Sequence, residues 1–366
     1  MTDRIAVGIL GGTGYAGGEL CRLLLNHPAV DRIHPSSRGT VQFERVHRNL
    51  AGSGLDFVTT DALLDGSVDV DVVFFATPTG EAMAHAGAFL DRGVRVIDLS
   101  ADFRFADPGA FATAHGTPHT APEQLARAVT NGITEHNRER IRGAALVANP
   151  GCYVITAALG LAPVLRSGIG GRGRTVHVTA VNGTTGAGST PSRPTMHAEA
   201  HGTMLPYNLA GHRHADELVL RLDEAGAGPV DLDFSTSHGS FPRGIHVQAS
   251  VAIADEHRGT VTRESLVELY TEHYGRGHTG EFFVVVNDNP GLLGPGAKEY
   301  DLYPTVRAVQ GSNFCHIGLD VDERAGRVRV IAVTDNLVKG AAGSAIQNMN
   351  VMLGHDETSG LRGYGL

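Results

Sequence analysis

A run of glycines close to the amino terminus constrains the fold more than any other feature of this sequence. The apolar segment Ile5–Ile9 leads into Gly8-Ile-Leu-Gly-Gly-Thr-Gly-Tyr-Ala-Gly-Gly18, and Glu19–Leu25 then carries apolar residues at helical spacing. Glycine lets the chain turn tightly, and it lets the pyrophosphate of a dinucleotide approach backbone N–H groups at the positive end of a helix. A tight turn packed under a helix is the alternative. The order strand, glycine loop, helix at the start of a domain favours cofactor binding.

The first hundred residues alternate between predicted strands and helices. Asp71–Ala76 is a nearly continuous apolar strand, Glu81–Leu90 has helical spacing, and Val94–Asp98 is the next strand. A continuous apolar strand is typical of a parallel sheet that is buried on both faces. The alternation therefore predicts an α/β fold with a Rossmann-like, doubly wound parallel sheet.

Strands predominate after about residue 150, which predicts a second, α+β domain with a mixed or antiparallel sheet. The stretch from Asn182 to His201 is rich in Gly, Thr, Ser and Pro and is predicted to be an irregular loop or flap. Gly343–Leu353 has the spacing of one more helix. The predicted strands of this half are Thr175–Ala180, Ile245–Ala254, Phe282–Val286, His316–Val321 and Val328–Val333.

Composition excludes several classes of protein. The chain has 366 residues, of which 42% are hydrophobic, enough for two domains of ordinary size. A net charge of −9 argues against nucleic acid as the main partner. No apolar run approaches the roughly 20 residues of a membrane-spanning helix, and the first apolar run is too short for a signal peptide. The three cysteines are too scattered for a disulfide framework or a metal site. We therefore expect a cytoplasmic protein without a metal, membrane or nucleic-acid partner.

The second predicted strand ends in residues that bear on cofactor choice. An NAD site usually has an acidic residue about 20 residues after the glycine loop, where it binds the ribose 2′-hydroxyl. Here the corresponding stretch, Ile33–Arg38, ends in Ser36, Ser37 and Arg38. Hydroxyls and a guanidinium suit a 2′-phosphate, so the sequence predicts NADP(H). A polar loop with a solvated arginine is the alternative.

Cys152 is the strongest candidate nucleophile. It follows a predicted strand and the Pro150-Gly151 turn, and it precedes Val154–Leu165, which has helical spacing. Unpaired N–H groups and the dipole at a helix N-terminus favour a thiolate and lower the pKa of the thiol. A cysteine is more often an inert buried residue, which is the role expected of Cys21 and Cys315.

A thiolate beside a nicotinamide predicts a specific reaction. Sulfur attacks an activated acyl carbon, the leaving group departs, and hydride reduces the thioester to an aldehyde. His212 and His214 precede a predicted helix and offer acid–base chemistry, although any one of the 19 histidines taken alone is more often structural. Arg104 follows a strand end, where ligands of open α/β sheets bind; an ion pair with a nearby aspartate is the alternative.

Seven motifs occur in the order in which one enzyme family has them. They are Gly11–Leu20, Asp98–Arg104, Asn149–Tyr153, Gly183–Gly188, His212–His214, Gln310–Asn313 and Asp335–Gly340. Together they make the chain resemble the N-acetyl-γ-glutamyl-phosphate reductases of arginine biosynthesis and, more distantly, the aspartate-semialdehyde dehydrogenases. The resemblance extends over nearly the whole chain.

The resemblance implies NADPH-dependent reduction of an acyl phosphate to a semialdehyde, with release of phosphate. It makes Cys152 the nucleophile and places the acid–base group in the pair His212 and His214, of which His214 is favoured because it stands directly before the helix. The family is typically a homodimer or homotetramer. The implied cofactor residues are Gly11, Thr13, Gly14, Tyr15, Ala16 and Gly17, with Ser36, Ser37 and Arg38 near the 2′-phosphate.

Further contacts follow from the same resemblance. Asn313 and Asn336 are expected to contact the dinucleotide, which implies that residues 335–366 complete a cofactor domain of residues 1–150. Residues 151–334 then form the catalytic, substrate and oligomerisation domain. The expected substrate-binding residues are Arg104, Asn149, Gly186 and Arg213.

Departures from the family leave the substrate open. Val154 stands where many members have Pro, and Thr130–Glu135 replaces the usual Tyr-Gly-Leu-Pro-Glu. Ser36–Arg38, His47–Leu50 and Tyr303–Arg307 are closer to a sister group that reduces a glutamyl or aminoadipyl phosphate held on a small acidic amino-group carrier protein, in lysine-type or specialised metabolism. A non-catalytic NADP(H)-binding redox sensor is the alternative of another class. Candidate residues for binding an acidic carrier are Arg193, Arg213, Arg243 and Arg307.

Overall fold

The computed structural model describes residues 4–170, 173–275, 280–289 and 302–365. The chain divides into two compact units. The first comprises residues 1–151 and 341–363, and the second comprises residues 152–340 and 364–366.

A six-stranded parallel sheet forms the centre of the first unit. Its strands are β1 (Ile5–Leu10), β2 (Val30–Ser37), β3 (Val58–Thr59), β4 (Val72–Phe75), β5 (Arg95–Asp98) and β6 (Leu146–Ala148). They lie in the order β3-β2-β1-β4-β5-β6, and every neighbouring pair is parallel. Every residue of β1 and β4 is buried, as expected of parallel strands covered on both faces. This order is that of a doubly wound dinucleotide-binding sheet, and the predicted fold class is confirmed.

The first helix of this unit begins at Tyr15, four residues before the predicted start at Glu19, so Gly17 and Gly18 lie inside it. A Cβ added at Gly17 would lie 2.5 Å from the carbonyl oxygen of Gly11, and one at Gly18 would lie 2.4 Å from the His47 ring. Close packing therefore requires both glycines, although glycine costs a helix about 1 kcal/mol relative to alanine. The helices are α1 (Tyr15–Leu24), α2 (Phe43–Val46), α3 (Thr60–Leu64), α4 (Glu81–Asp91), α5 (Pro108–His115), α6 (Pro122–Leu125) and α7 (Thr134–Ile141).

The second unit contains a sheet of seven strands, and the sheet is mixed, as predicted. Its strands are β7 (Val176–Asn182), β8 (Leu205–Tyr207), β9 (Leu232–His238), β10 (Ile245–Ala252), β11 (Val284–Val286), β12 (Cys315–Asp322) and β13 (Arg327–Thr334). The order is β11-β12-β13-β10-β7-β9-β8. The pairs β7–β9 and β11–β12 are parallel and the other pairs are antiparallel. Strands β8 and β9 were not predicted, because their sequences are short or largely polar.

Helix α8 (Cys152–Arg166) packs across β10 and β13 and is buried at every position from Tyr153 to Val164. Pro163 lies inside this helix and lacks the N–H that would bind the carbonyl of Leu159. The hydroxyl of Tyr274 donates to that carbonyl instead. The remaining helices are α9 (His197–Ala200), α10 (His214–Leu222), α11 (Arg263–Tyr274) and, in the first unit, α12 (Gly343–Leu353). Within the described ranges, no helix combines the length and apolarity needed to span a membrane.

Candidate active site

A cavity of about 210 Å³ lies at the carboxyl ends of β1, β2 and β4, where ligands of open α/β sheets bind. Five predicted cofactor residues line it, namely Gly11, Thr13, Ser36, Ser37 and Arg38. The sequence pattern missed other lining residues because they come from separate segments; they include Thr60, Thr77, Pro78, Glu81 and His85.

The glycine loop is shaped as a dinucleotide cradle requires. Gly11 has φ +80°, and a Cβ there would lie 2.2 Å from the carbonyl oxygen of Ala76. Gly14 caps α1 without a side-chain hydrogen bond, and the nearest atom to a Cβ there would be 3.5 Å away. Tyr15 and Ala16 form the first helical turn beyond it. The loop therefore leaves the N-terminus of α1 open to an anion, which fits a pyrophosphate.

Arg38 lies at the edge of this cavity and pairs with a carboxylate. Its side chain is 72% exposed, and its guanidinium lies 2.7 Å from the carboxylate of Glu81, at the start of α4. Ser36 and Ser37 are buried beside it. Two hydroxyls and a guanidinium fit a phosphate group, whereas Glu81 would compete with that phosphate for Arg38.

Cys152 is the first residue of α8 and is half-buried. The side-chain amide nitrogen of Asn182 lies 3.7 Å from its sulfur. A Cβ added at Gly340 would lie 2.8 Å from the Cβ of Cys152, so only glycine fits there. Cys21 and Cys315 are fully buried, and burial raises the pKa of the Cys21 thiol to about 12. The thiol of Cys152 therefore has surroundings quite different from theirs.

The structure brings the two predicted histidines together beside the neighbour of Cys152. His212 and His214 are buried, and their ring centroids are 4.8 Å apart. The ring of Tyr153 contacts both, at centroid distances of 5.6 and 5.9 Å. The hydroxyl of Tyr207 donates to that of Tyr153, which donates to the carbonyl of Ser237. Sequence reasoning missed Tyr207, which lies on the short strand β8.

The two histidines differ in what their rings can do. The Nδ1 atom of His212 accepts the backbone N–H of His214 at 3.1 Å. Burial, with the nearby charges of Arg213 and His238, lowers the pKa of His212 to about 4. His212 is thus neutral at pH 7 with its proton on Nε2, and it is a poor base. His214 takes part in this contact only through its backbone, which leaves it the better candidate for proton transfer.

Arg104 and Asn149, two of the expected substrate residues, bind each other. Arg104 is buried and donates from Nε to the carbonyl of Asn149 at 3.0 Å and from Nη2 to that of Leu99 at 2.8 Å. The Asn149 side-chain oxygen accepts from Ser344 at 2.9 Å and from Asn348 at 3.1 Å, both on α12. These contacts fix the turn that precedes Cys152.

The remaining predicted substrate and cofactor residues lie in the second unit; they are Gly186, Arg213, Asn313 and Asn336. A Cβ at Gly186 would lie 2.1 Å from the Asn182 amide nitrogen, and Arg213 is exposed directly before α10. Asn313 is buried. The amide of Asn336 accepts from the backbone N–H of Gly244 at 2.8 Å and donates to the hydroxyl of Thr185 at 2.9 Å.

Arg243, one of the candidate carrier-binding arginines, pairs with a buried carboxylate. Its Nε and Nη2 atoms lie 2.9 and 3.1 Å from the oxygens of Asp335, which is fully buried. A bidentate pair of this kind stabilises the fold of its own unit. Arg193, Arg213 and Arg307 are exposed.

Two family models together match most of the chain. The model described as "Semialdehyde dehydrogenase, NAD binding domain" matches residues 6–144. The model described as "Semialdehyde dehydrogenase, dimerisation domain" matches residues 152–336. The first model contains the cavity and the glycine loop, and the second contains Cys152 and both histidines.

Curated relatives match along nearly the full length. The N-acetyl-gamma-glutamyl-phosphate reductases of Azotobacter vinelandii and Pseudomonas aeruginosa PAO1 are each 41% identical over 361 residues, which is 98% of this chain and 98% of each relative. Among solved structures, aspartate semialdehyde dehydrogenase II from Vibrio cholerae superposes with a TM-score of 0.68 at 18% identity, covering 96% of this chain and 99% of that one. At that identity the structural match shows the fold.

Proposed function

This chain belongs to the semialdehyde dehydrogenase family, and we propose that it uses NADPH to reduce N-acetyl-γ-glutamyl phosphate to the semialdehyde, releasing inorganic phosphate. The observation that carries the proposal is the setting of Cys152. The residue begins a buried helix, has an amide nitrogen 3.7 Å from its sulfur, and is followed by a tyrosine packed on two buried histidines. The names of the curated relatives support this substrate.

The proposed reaction uses Cys152 as the nucleophile and His214 as the acid–base group. His214 accepts the thiol proton of Cys152, directly or through a water. The sulfur then attacks the acyl carbon; a C–S bond forms, the C–O bond to phosphorus breaks, and phosphate leaves with the electron pair. When bound, NADPH supplies the hydride that reduces the resulting thioester. His214 donates its proton to the oxygen that becomes negative on hydride addition. It takes the proton back as the C–S bond breaks, which releases the aldehyde and restores the thiolate.

His212 acts as a positioning residue in this scheme. Because its Nδ1 accepts the His214 backbone N–H, it fixes the first residue of α10. Because its pKa is about 4, it stays neutral and adds no second positive charge beside His214. This division of roles assigns proton transfer to His214.

NADPH is the cofactor that the cavity in the first unit supports best. The buried hydroxyls of Ser36 and Ser37 and the exposed guanidinium of Arg38 suit a 2′-phosphate, and no acidic residue follows β2 directly. The match to a dimerisation-domain model supports a homodimer or homotetramer. The Arg243–Asp335 pair gives a structural role to one of the four arginines considered for binding an acidic carrier.

The test replaces the nucleophile. Cys152→Ser and Cys152→Ala are expected to lower NADPH oxidation by N-acetyl-γ-glutamyl phosphate by at least about 1,000-fold, while NADPH binding persists. Cys21→Ala is the matched control and should retain turnover. Substantial turnover in Cys152→Ala rejects covalent catalysis. If the wild-type protein binds NADPH but reduces neither the free nor a carrier-linked acyl phosphate, it is a sensor and not a reductase. If it reduces only a carrier-linked acyl phosphate, the substrate assignment changes.

A further inference from the structure

The side chain of Asn182 contacts the reacting sulfur, although neither sequence reasoning nor the proposed scheme gives it a role. It is the last residue of β7 and is 2% exposed. Its Nδ2 atom lies 3.7 Å from the Cys152 sulfur, within the distance of an N–H···S hydrogen bond. Asn182 is therefore a donor to the atom that attacks the substrate.

The side-chain amide of Asn182 presents its nitrogen, and not its oxygen, to the sulfur of Cys152. The Oδ1 atom of Asn182 is buried and has no hydrogen-bond partner among the described residues. A buried acceptor left without a partner is costly. Rotating the amide by half a turn would aim Oδ1 at the sulfur, where the S–H of a neutral thiol could satisfy it. A thiolate accepts hydrogen bonds and donates none, so an amide that presents Nδ2 to the sulfur is compatible with an ionised Cys152.

The glycine-rich turn after β7 leaves space for the amide. Residues Thr184–Ala187 form a short 3₁₀ turn, in which the N–H of Gly186 donates to the carbonyl of Gly183 at 3.0 Å. A Cβ at Gly186 would lie 2.1 Å from Nδ2 of Asn182. The φ of Gly186 is not in the positive range, so its backbone suits other residues. The Asn182 amide is thus the specific obstacle to a side chain at position 186.

We propose that Asn182 is a catalytic residue whose amide N–H stabilises the Cys152 thiolate, and that glycine at position 186 leaves the space that this amide occupies. The catalytic part rests on the proposed function, because it gives the thiolate a substrate to attack. A hydrogen bond from a neutral amide to an anion favours the ionised form of the sulfur.

The experiment measures the ionisation of Cys152 without substrate or cofactor. The rate of alkylation by iodoacetamide is followed against pH, and peptide mass spectrometry confirms that Cys152 is the modified residue. Asn182→Ala is expected to raise the apparent pKa of Cys152 by about one pH unit. At a pH below the pKa, this shift makes the thiolate fraction roughly tenfold smaller. Asn182→Asp should raise it further, because its carboxylate repels the thiolate. Gln248→Glu, an exposed amide-to-acid change on β10, is the matched control and should leave it unchanged.

A double-variant cycle tests the role of Gly186. Gly186→Ala alone should raise the apparent pKa by displacing the amide, whereas adding it to Asn182→Ala should change nothing more. Circular dichroism and the melting temperature show which variants fold. If Asn182→Ala does not fold, the test rests on Asn182→Asp, whose side chain has nearly the same size as that of asparagine, and on Gly186→Ala. An apparent pKa unchanged in the folded variants overturns the proposal, whatever the Cys152→Ser assay gives. A raised pKa in an enzyme that fails that assay supports the contact with the thiolate and rejects the reductase assignment separately.

Discussion

Arg104 donates from Nε to the backbone oxygen of Asn149 at 3.0 Å, three residues before the thiol of Cys152. The same guanidinium donates to the carbonyl of Leu99 at 2.8 Å, and the side chain is buried. One charged residue thus ties the end of β5 to the turn that leads into α8. An arginine expected to bind substrate has in this structure a large part of its hydrogen-bonding capacity directed at the backbone.

Arg104→Ala is expected to lower the free energy of unfolding by about 2–4 kcal/mol, because the buried carbonyl of Asn149 and the partly buried carbonyl of Leu99 each lose a charged donor. Urea unfolding of the purified variant measures this change. Arg142→Ala removes an arginine that is 57% exposed and should change stability by less than about 0.5 kcal/mol. If Arg104→Ala instead leaves stability intact and raises only KM for the acyl phosphate, the residue acts mainly on substrate.

A second prediction concerns the choice of cofactor and rests on the ion pair between Arg38 and Glu81. Arg38→Ala is expected to weaken NADPH binding by about tenfold and to leave NADH binding nearly unchanged, because only NADPH carries the 2′-phosphate. Glu81→Gln removes the carboxylate 2.7 Å from the guanidinium and should tighten NADPH binding. Fluorescence titration with each cofactor measures both effects. Equal affinity of the wild type for NADPH and NADH would contradict the assignment of Arg38.

The fold could be predicted because apolar segments and glycines carry most of its information. Val72–Phe75 is buried at every residue, and the glycine loop follows β1 at the edge of the sheet where ligands bind. The predicted helix Gly343–Leu353 has the bounds of α12. Strand β9 was missed because, in Leu232–His238, polar residues outnumber apolar ones and Phe234 is the one large apolar side chain that is buried.

The site could be predicted only in part. A Pro-Gly turn before a helical segment locates Cys152 at a helix start, which is local information. The contact of Asn182 with its sulfur joins residues 30 positions apart, and no periodicity marks it. Ser344 and Asn348 are buried on α12 and bind Asn149 nearly 200 residues away. Sequence patterns separate polar from apolar positions, but they do not show which polar groups a tertiary fold buries and pairs.

His212 predicts a pH dependence of stability. Its pKa is about 4 in the folded chain and 6.5 for an ordinary imidazole, so the unfolded chain binds more protons between these values. The stability contributed by the neutral ring is full above pH 6.5 and is lost progressively as the pH falls towards 4, by up to about 3 kcal/mol. His212→Asn keeps an acceptor for the His214 N–H but does not titrate. Urea unfolding at pH 7 and pH 5 should therefore show a smaller acid loss in this variant than in the wild type.

Comparison with the His212→Asn variant is needed because burial also lowers the pKa of other histidines, among them His27 and His246.

The pair His212 and His214 also gives a kinetic expectation. His214→Asn should reduce kcat by about 100-fold or more, as removal of a general acid–base does, whereas His212→Asn should retain much of the turnover. A reversed order of these two effects would assign proton transfer to His212.

The pair of Arg243 and Asp335 predicts the largest single loss of stability. Asp335 is fully buried and accepts hydrogen bonds from the Arg243 guanidinium and from the backbone N–H groups of Gly311, Leu337 and Val338. Asp335→Asn turns one acceptor into a donor that faces these groups and leaves the guanidinium without its counter-ion. Breaking a buried pair from one side costs about 3–5 kcal/mol, so urea unfolding should show a loss of that size. Asp322→Asn, which breaks the exposed pair with Arg329 on the neighbouring strand, should cost less than about 1 kcal/mol. Equal, small losses in the two variants would show that Arg243 is not held by Asp335 and is available for a partner.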